Sequence, residues 1–191
     1  MTFGSFNNFA KIGPRVIELW AAVLRAVPNS RITLITIPAG TAQAELRDRF
    51  AALGVATERV VMHDRLLRRE YLDLFSEVDI ALDPFPCNGG TTTCDALWMG
   101  LPVVALTGET FLSRASYSIL SAVNLTGYAA ADVTAYQDIC VKASRELETL
   151  ARVRAQLRKQ LTTSPLLAAP AFTRDLEAAY RALWQRWCAC H

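Results

Sequence analysis

A chain of 191 residues, 52% of them hydrophobic, is long enough for one medium-sized domain with a sizeable core and too apolar to be disordered throughout. Its 20 basic and 18 acidic residues leave a formal charge of +2 and are mixed along the sequence, which offers no basic stripe for nucleic acid. No apolar run approaches the roughly 18 residues of a membrane span, and the start MTFGSFNNFAKIGP lacks the basic and apolar segments of a signal peptide, so a cytoplasmic setting with no membrane partner is expected.

In chain order, TFGSF (2–6) reads as the tail of a strand already begun at position 1. PRVIELWAAVLRAV (14–27) places Pro14 at a first helical position and spaces Val16, Leu19, Trp20, Val23, Leu24 and Val27 as one buried helical stripe. RITLITI (31–37) is a strand, and a helix over 42–53 follows and stops near Gly54. RVVMH (59–63) is a strand and 68–77 a helix, opened by the basic group Arg65, Arg68, Arg69 with Glu70, whose default reading is a solvated helix start. VDIALD (78–83) is a buried strand, 91–99 a helix, LPVVAL (101–106) another buried strand and 112–122 a helix. A short strand near 125–129 precedes two long helices, 132–161 and 170–187, separated by the Pro165–Pro170 break.

Alternation of helices with nearly all-apolar strands predicts an α/β domain, a Rossmann-like parallel sheet with helices on both faces. No repeat, low-complexity stretch or internal linker divides it, so residues 1–191 are read as one lobe, with 132–191 a closing helical segment packed on it. In such folds ligands bind beyond the carboxyl ends of the strands, near the switch in strand order. That directs attention to the exits Ser5–Lys11, Ile37–Gly40, His63–Tyr71 and Asp83–Asp95.

The last of these exits contains DPFPCNGGTTTCDALWMG (83–100). Glycines let backbone approach a ligand closely, and a helix start offers unpaired N–H groups and the positive end of a dipole, a natural anion site. The competing reading is a tight turn with a cap: Thr92-x-x-Asp95 matches a capping box. Spacing alone divides the two evenly. The segment is neither a P-loop, for want of Gly-Lys-Ser/Thr, nor GxGxxG. Five cysteines are an odd number and argue against a disulfide framework. Cys87 and Cys94 read as small buried residues, and the ending Cys188-Ala-Cys190-His191 lacks the second ligand pair that a metal site needs.

FGSFNNFAKIGP, DPFPCNGGTTTCDALWMGLPVVAL and GETFLSRASYSIL, in this order and at compatible distances, resemble the C-terminal catalytic lobe of the O-GlcNAc transferase family, with its SPINDLY-like and bacterial relatives. The likeness extends to SPLLAAPAFTRDLEAAYRALWQRWC at the end. It implies the C-terminal lobe of a two-lobed GT-B glycosyltransferase, here the donor-binding half of an inverting protein O-glycosyltransferase moving GlcNAc from UDP-GlcNAc to Ser or Thr. It implies as partners an acceptor protein and, upstream, an N-terminal lobe and TPR repeats. With a strand already running at position 1, the chain is expected to be a C-terminal fragment or truncated product with little activity alone.

By the same resemblance Lys11 matches the lysine that reaches the nucleotide phosphates, and Asn8 stands where some relatives have glutamine. Gly89 belongs to the phosphate turn, Thr91 and Thr92 match threonines that bind the diphosphate, and Asp95 matches an acid that takes the ribose hydroxyls. Gly90 departs from relatives with histidine there, leaving only its backbone N–H to serve. Leu66, Arg68 and Tyr71 fall in the base pocket, Tyr71 in place of a histidine that stacks on the base and Arg68 in place of a lysine. Glu109, Thr110, Ser113 and Arg114 are candidates for the cleft rim, Arg114 ranking below Lys11. No Asp-x-Asp motif occurs, and lysine with helix N–H groups already meets the phosphates, so neither a metal nor another cofactor is expected. Rival readings are a lobe using UDP-glucose or GDP-fucose, and a degenerate lobe kept as an interaction module.

Overall fold

The strands Thr2–Ser5 (β1), Arg31–Leu34 (β2), Val60–Met62 (β3), Ile80–Leu82 (β4), Val103–Leu106 (β5) and Ala129–Ala130 (β6) make one sheet in a computed structural model describing residues 1–190. Their order is β3-β2-β1-β4-β5-β6 and every pairing is parallel. The direction of winding reverses between β1 and β4, which opens a crevice beyond their carboxyl ends. β1 and β2 run in step, Phe3 opposite Ile32 and Gly4 opposite Thr33, and β1 meets β4 with Phe3 opposite Ile80.

The helices are Pro14–Ala26 (α1), Thr41–Ala52 (α2), Arg68–Asp73 (α3), Thr91–Trp98 (α4), Phe111–Ala122 (α5), Val133–Arg145 (α6), Leu147–Thr162 (α7) and Ala169–Cys190 (α8). α1 begins at Pro14, where a missing N–H costs nothing and the ring's fixed φ suits the first turn. Its apolar stripe joins Leu46 and Phe50 of α2 and Tyr136 and Cys140 of α6 in a core on one face of the sheet. On the other face Leu74, Phe75, Ala96, Leu97, Leu120, Leu157 and Leu161 form the second core. Trp20 is fully buried and its Nε1 donates to the Tyr136 hydroxyl at 3.3 Å. That hydroxyl donates in turn to the Asp83 carbonyl, also at 3.3 Å, tying the first core to the end of β4.

Three stretches differ from the sequence-based expectation. The helix expected over 132–161 is two helices, broken at Glu146 (φ −104°, ψ 57°). The break lets α7 change faces: Leu150 joins the first core, and Leu157 and Leu161 join the second. On the way, Arg154 Nη1 donates to the Val78 and Asp79 carbonyls at 2.6 and 2.8 Å, before β4 begins, so α7 passes the amino ends of the strands. The helix expected over 68–77 tightens to 3-10 geometry from Leu74.

The third difference concerns α8, expected to close down on the domain with α6 and α7. Phe172, Leu176, Tyr180, Leu183 and Trp184 lie along one side of it at helical spacing, and all five are exposed. α8 is held to the body at the Pro165–Leu167 turn. Its apolar periodicity specifies a helix with a face to cover, and among the described residues the lobe's own cores do not cover it. His191, the last member of the Cys188–His191 ending, lies outside the described residues. No helix among them is long and apolar enough to cross a membrane.

Candidate functional site

The turns leaving β1 and β4 face each other across the crevice. After β1 the chain makes a 3-10 turn, Phe9–Lys11, which brings Lys11 back over the strand ends. Lys11 Nζ donates to the Asn88 carbonyl at 2.9 Å and to Asn7 Oδ1 at 3.1 Å. An ammonium has three N–H donors, so one remains for a ligand. Asn8 is exposed, and its Oδ1 accepts from the Ala10 N–H at 2.9 Å, capping that turn. The amide that reaches into the crevice is its neighbour Asn7, which is buried.

After β4 the turn 83–90 leads into α4, whose N-cap is Gly90 with no side-chain cap. Thr92 therefore sits inside the first turn and is not the cap, which removes the capping-box reading of Thr92 and Asp95. The first-turn N–H groups of Thr91 and Thr92 meet no capping side chain, and Thr91 is exposed. Gly89 is buried: its N–H donates to both oxygens of the Asp83 carboxylate, at 2.9 and 3.0 Å. Thr92 Oγ1 donates to Asn7 Oδ1 at 3.1 Å, while the buried Thr93 Oγ1 lies 3.0 Å from Ser116 Oγ.

Asp83 ends a buried apolar strand and is itself buried. Besides Gly89 it accepts from Asn7 Nδ2 at 3.1 Å and from Ser116 Oγ at 2.7 Å. Burial pushes its carboxyl up from 3.8 to about 6, against the opposing pull of Ser116, Gly89, the Lys11 charge and Asn7. Because the folded value lies above the unfolded one, this group's contribution to stability is fully present below about pH 3.8 and is lost as pH rises through about 6. Asp83→Asn is expected to flatten a fall in urea midpoint that the unsubstituted protein shows between these two values. Identical pH slopes for the two proteins would assign that fall to another group.

One turn along α4 lies a second cluster. Asp95 shares the Thr92 side of the helix by its i,i+3 spacing. Its Oδ2 accepts from the Tyr71 hydroxyl at 3.1 Å and pairs with Arg68 Nη1 at 3.7 Å. Burial, then the Asp95 charge, hold the Tyr71 hydroxyl protonated well above its ordinary range, which keeps it a donor. The Tyr71 ring meets Phe6 and Phe75 edge to face, with centroids 5.9 and 5.1 Å apart, and the Arg68 guanidinium lies 5.7 Å from its centroid. The exposed Arg68 side chain thus lies over the face of Tyr71. Leu66 is half-buried against the second core beside them.

Three of the rim candidates after β5, Thr110, Ser113 and Arg114, have local work. Thr110 caps α5 reciprocally with Ser113, and Arg114 Nη1 reaches the Gly108 carbonyl at 3.3 Å. Cys87 and Cys94 are half-buried free thiols, and burial raises the Cys94 thiol above its ordinary value.

The structure thus gathers Lys11, Gly89, Thr91 and Thr92 around one point and Asp95, Arg68 and Tyr71 around another, with α4 joining the two. Asn7, Asp83 and Asn88 fall within strand exits that the sequence points to but carried no role of their own there, and Ser116 was not among the candidates. A further signal was Asp83 itself, an acid closing an apolar strand.

Comparison with known proteins adds three findings. The family model described as glycosyl transferase family 41 matches residues 1–176. The probable UDP-N-acetylglucosamine–peptide N-acetylglucosaminyltransferases SPINDLY of Petunia hybrida and Solanum lycopersicum are 37% and 36% identical over 193 residues; each match takes in 98% of this chain and 20% of the plant protein. A solved Thermobaculum terrenum O-GlcNAc transferase mutant superposes with a TM-score of 0.90 at 37% identity, over 96% of this chain and 36% of that one. The chain therefore spans about a fifth of the length of the plant relatives it matches.

Proposed function

The chain belongs to glycosyl transferase family 41, and we propose that it is the donor-binding lobe of a protein O-glycosyltransferase that moves GlcNAc from UDP-GlcNAc to Ser or Thr of proteins. The observation that carries this reading is the uncapped first turn of α4 facing the Lys11 ammonium across the crevice. Bare N–H groups, a positive helix end and one spare ammonium donor form a site for a diphosphate.

When the bond from sugar to phosphate breaks, negative charge grows on the β-phosphate. Donors already aimed at that position stabilise it without reorganising. Lys11 supplies a charge-assisted hydrogen bond and the Thr91 and Thr92 amides supply neutral ones. Asp95 has Oδ1 left to accept from a ribose hydroxyl while Tyr71 holds Oδ2. Arg68, Tyr71 and Leu66 border the place of the base. With the phosphates met this way, binding is expected to need no metal.

The acceptor protein and the residues that activate its hydroxyl belong to a facing N-terminal lobe, with TPR repeats beyond it. The small share of its relatives that this chain spans supports that division of labour. Calorimetry on the chain with UDP, GDP, UDP-GlcNAc, UDP-glucose and GDP-fucose tests the reading. UDP is expected to bind more tightly than GDP, equally well with and without EDTA. Preference for GDP would reassign the base pocket.

A further inference from the structure

At the switch in strand order one hydrogen-bonded chain joins groups that the sequence keeps far apart. Asp83 Oδ1 accepts from Asn7 Nδ2 at 3.1 Å, and Asn7 Oδ1 accepts from both Lys11 Nζ and Thr92 Oγ1, each at 3.1 Å. The amide has only one workable sense here. Turned over, its oxygen would face the Asp83 carboxylate and its NH2 would face the Lys11 ammonium, acceptor on acceptor and donor on donor. Asp83 is itself immobilised by both Gly89 N–H contacts and by Ser116.

A further constraint holds Asn7 by its backbone. Thr36, at the exit of β2, donates from Oγ1 to the Asn7 carbonyl at 3.2 Å and lies in the left-handed region at φ 59°. A β-branched residue adopts that conformation only where its surroundings impose it. Three strand exits therefore converge on Asn7, two through its side-chain amide and one through its backbone carbonyl.

We infer that Asp83 and Asn7 are positioning residues for phosphate binding: Asp83 sets the sense of the Asn7 amide, whose oxygen holds the Lys11 ammonium and the Thr92 hydroxyl at the crevice. The inference rests on the proposed diphosphate site and adds residues that do not touch the ligand. Lysine is among the side chains with most rotamer freedom to lose. Fixing it before the ligand arrives removes that loss from the binding step. With its hydroxyl committed to Asn7, Thr92 meets phosphate through its backbone N–H.

The test uses the 191-residue chain labelled with 13Cε-lysine, whose three lysines are Lys11, Lys142 and Lys159. A held Lys11 shows two distinct ε-proton shifts. Asn7→Ala is expected to merge them and to weaken UDP binding about tenfold, while uridine binds as before. Asp83→Ala is expected to do the same. Asp83→Asn, which keeps an acceptor for Asn7 Nδ2, is expected to restore the split signal. If Asp83→Ala fails to fold, Asn7→Ala, which leaves the buried carboxylate its Gly89 and Ser116 donors, is still decisive. A folded Asn7→Ala protein with the original Lys11 signal and the original UDP affinity would overturn the inference. Absence of UDP binding by the unsubstituted chain would instead overturn the diphosphate reading, and the Lys11 signal would then decide the positioning by itself.

Discussion

Gly89→Ala is expected to abolish measurable UDP binding and to destabilise the fold by about 3 kcal/mol. A Cβ at this position would stand 2.7 Å from Thr92 Oγ1 and 2.8 Å from Asp83 Oδ1, and would press harder still on Thr93 Oγ1. None of these atoms is the loose end of a flexible side chain. Asp83 is fixed by the Gly89 N–H itself, Thr93 by Ser116 and Thr92 by Asn7. Relief requires the turn to move, which misaims the first-turn amides and releases the buried Asp83 carboxylate from its donors. Gly90 is the control for space: a Cβ there meets nothing within 4 Å. Thermal melts and UDP titrations of both variants check the contrast. UDP affinity retained in Gly89→Ala would show that the turn is slack and the clash absorbed elsewhere.

Lys11→Ala is expected to weaken UDP binding by about ten- to a hundredfold, the range for losing a hydrogen bond to a charged group. Stability is expected to change little, because Lys11 is half-buried and its removal leaves the Asn88 carbonyl and Asn7 Oδ1 within reach of water. Screening supplies a second readout. UDP affinity of the unsubstituted protein is expected to fall with added salt, and that dependence is expected to lessen in Lys11→Ala. Equal affinities at low salt would place the diphosphate away from this ammonium.

Much of the fold is legible in the sequence because the strands are buried on both faces and read as apolar runs between helical stripes. IALD and LPVVAL announce themselves this way, and Pro14, Gly54 and the Gly89-Gly90 pair punctuate the elements. Lys11, Thr91, Thr92 and Asp95 are singled out by the family resemblance, and each lies just past a strand exit or on the helix that follows. The break at Glu146 is not, since neither proline nor glycine marks it; tertiary packing across the amino ends of the strands decides it. Asn8 drew attention because it stands where some relatives have glutamine; which of the two neighbouring amides faces inward is decided by a three-residue 3-10 turn, invisible as a sequence period. The Asp83–Asn7 contact spans 76 residues and follows only from β1 lying beside β4. For α8 the period of Phe172, Leu176, Tyr180 and Leu183 is plain, but a period specifies a face and not what covers it.

The claim on which the rest depends is that the start of α4 and Lys11 together receive a diphosphate. A crystal structure of this chain soaked with uridine diphosphate tests it most directly. The account predicts density for the β-phosphate within hydrogen-bond distance of the Thr91 and Thr92 amides and of Lys11 Nζ, with the ribose beside Asp95. Nucleotide bound elsewhere, with Lys11 still closed on Asn88 and the α4 amides facing only solvent, would contradict it.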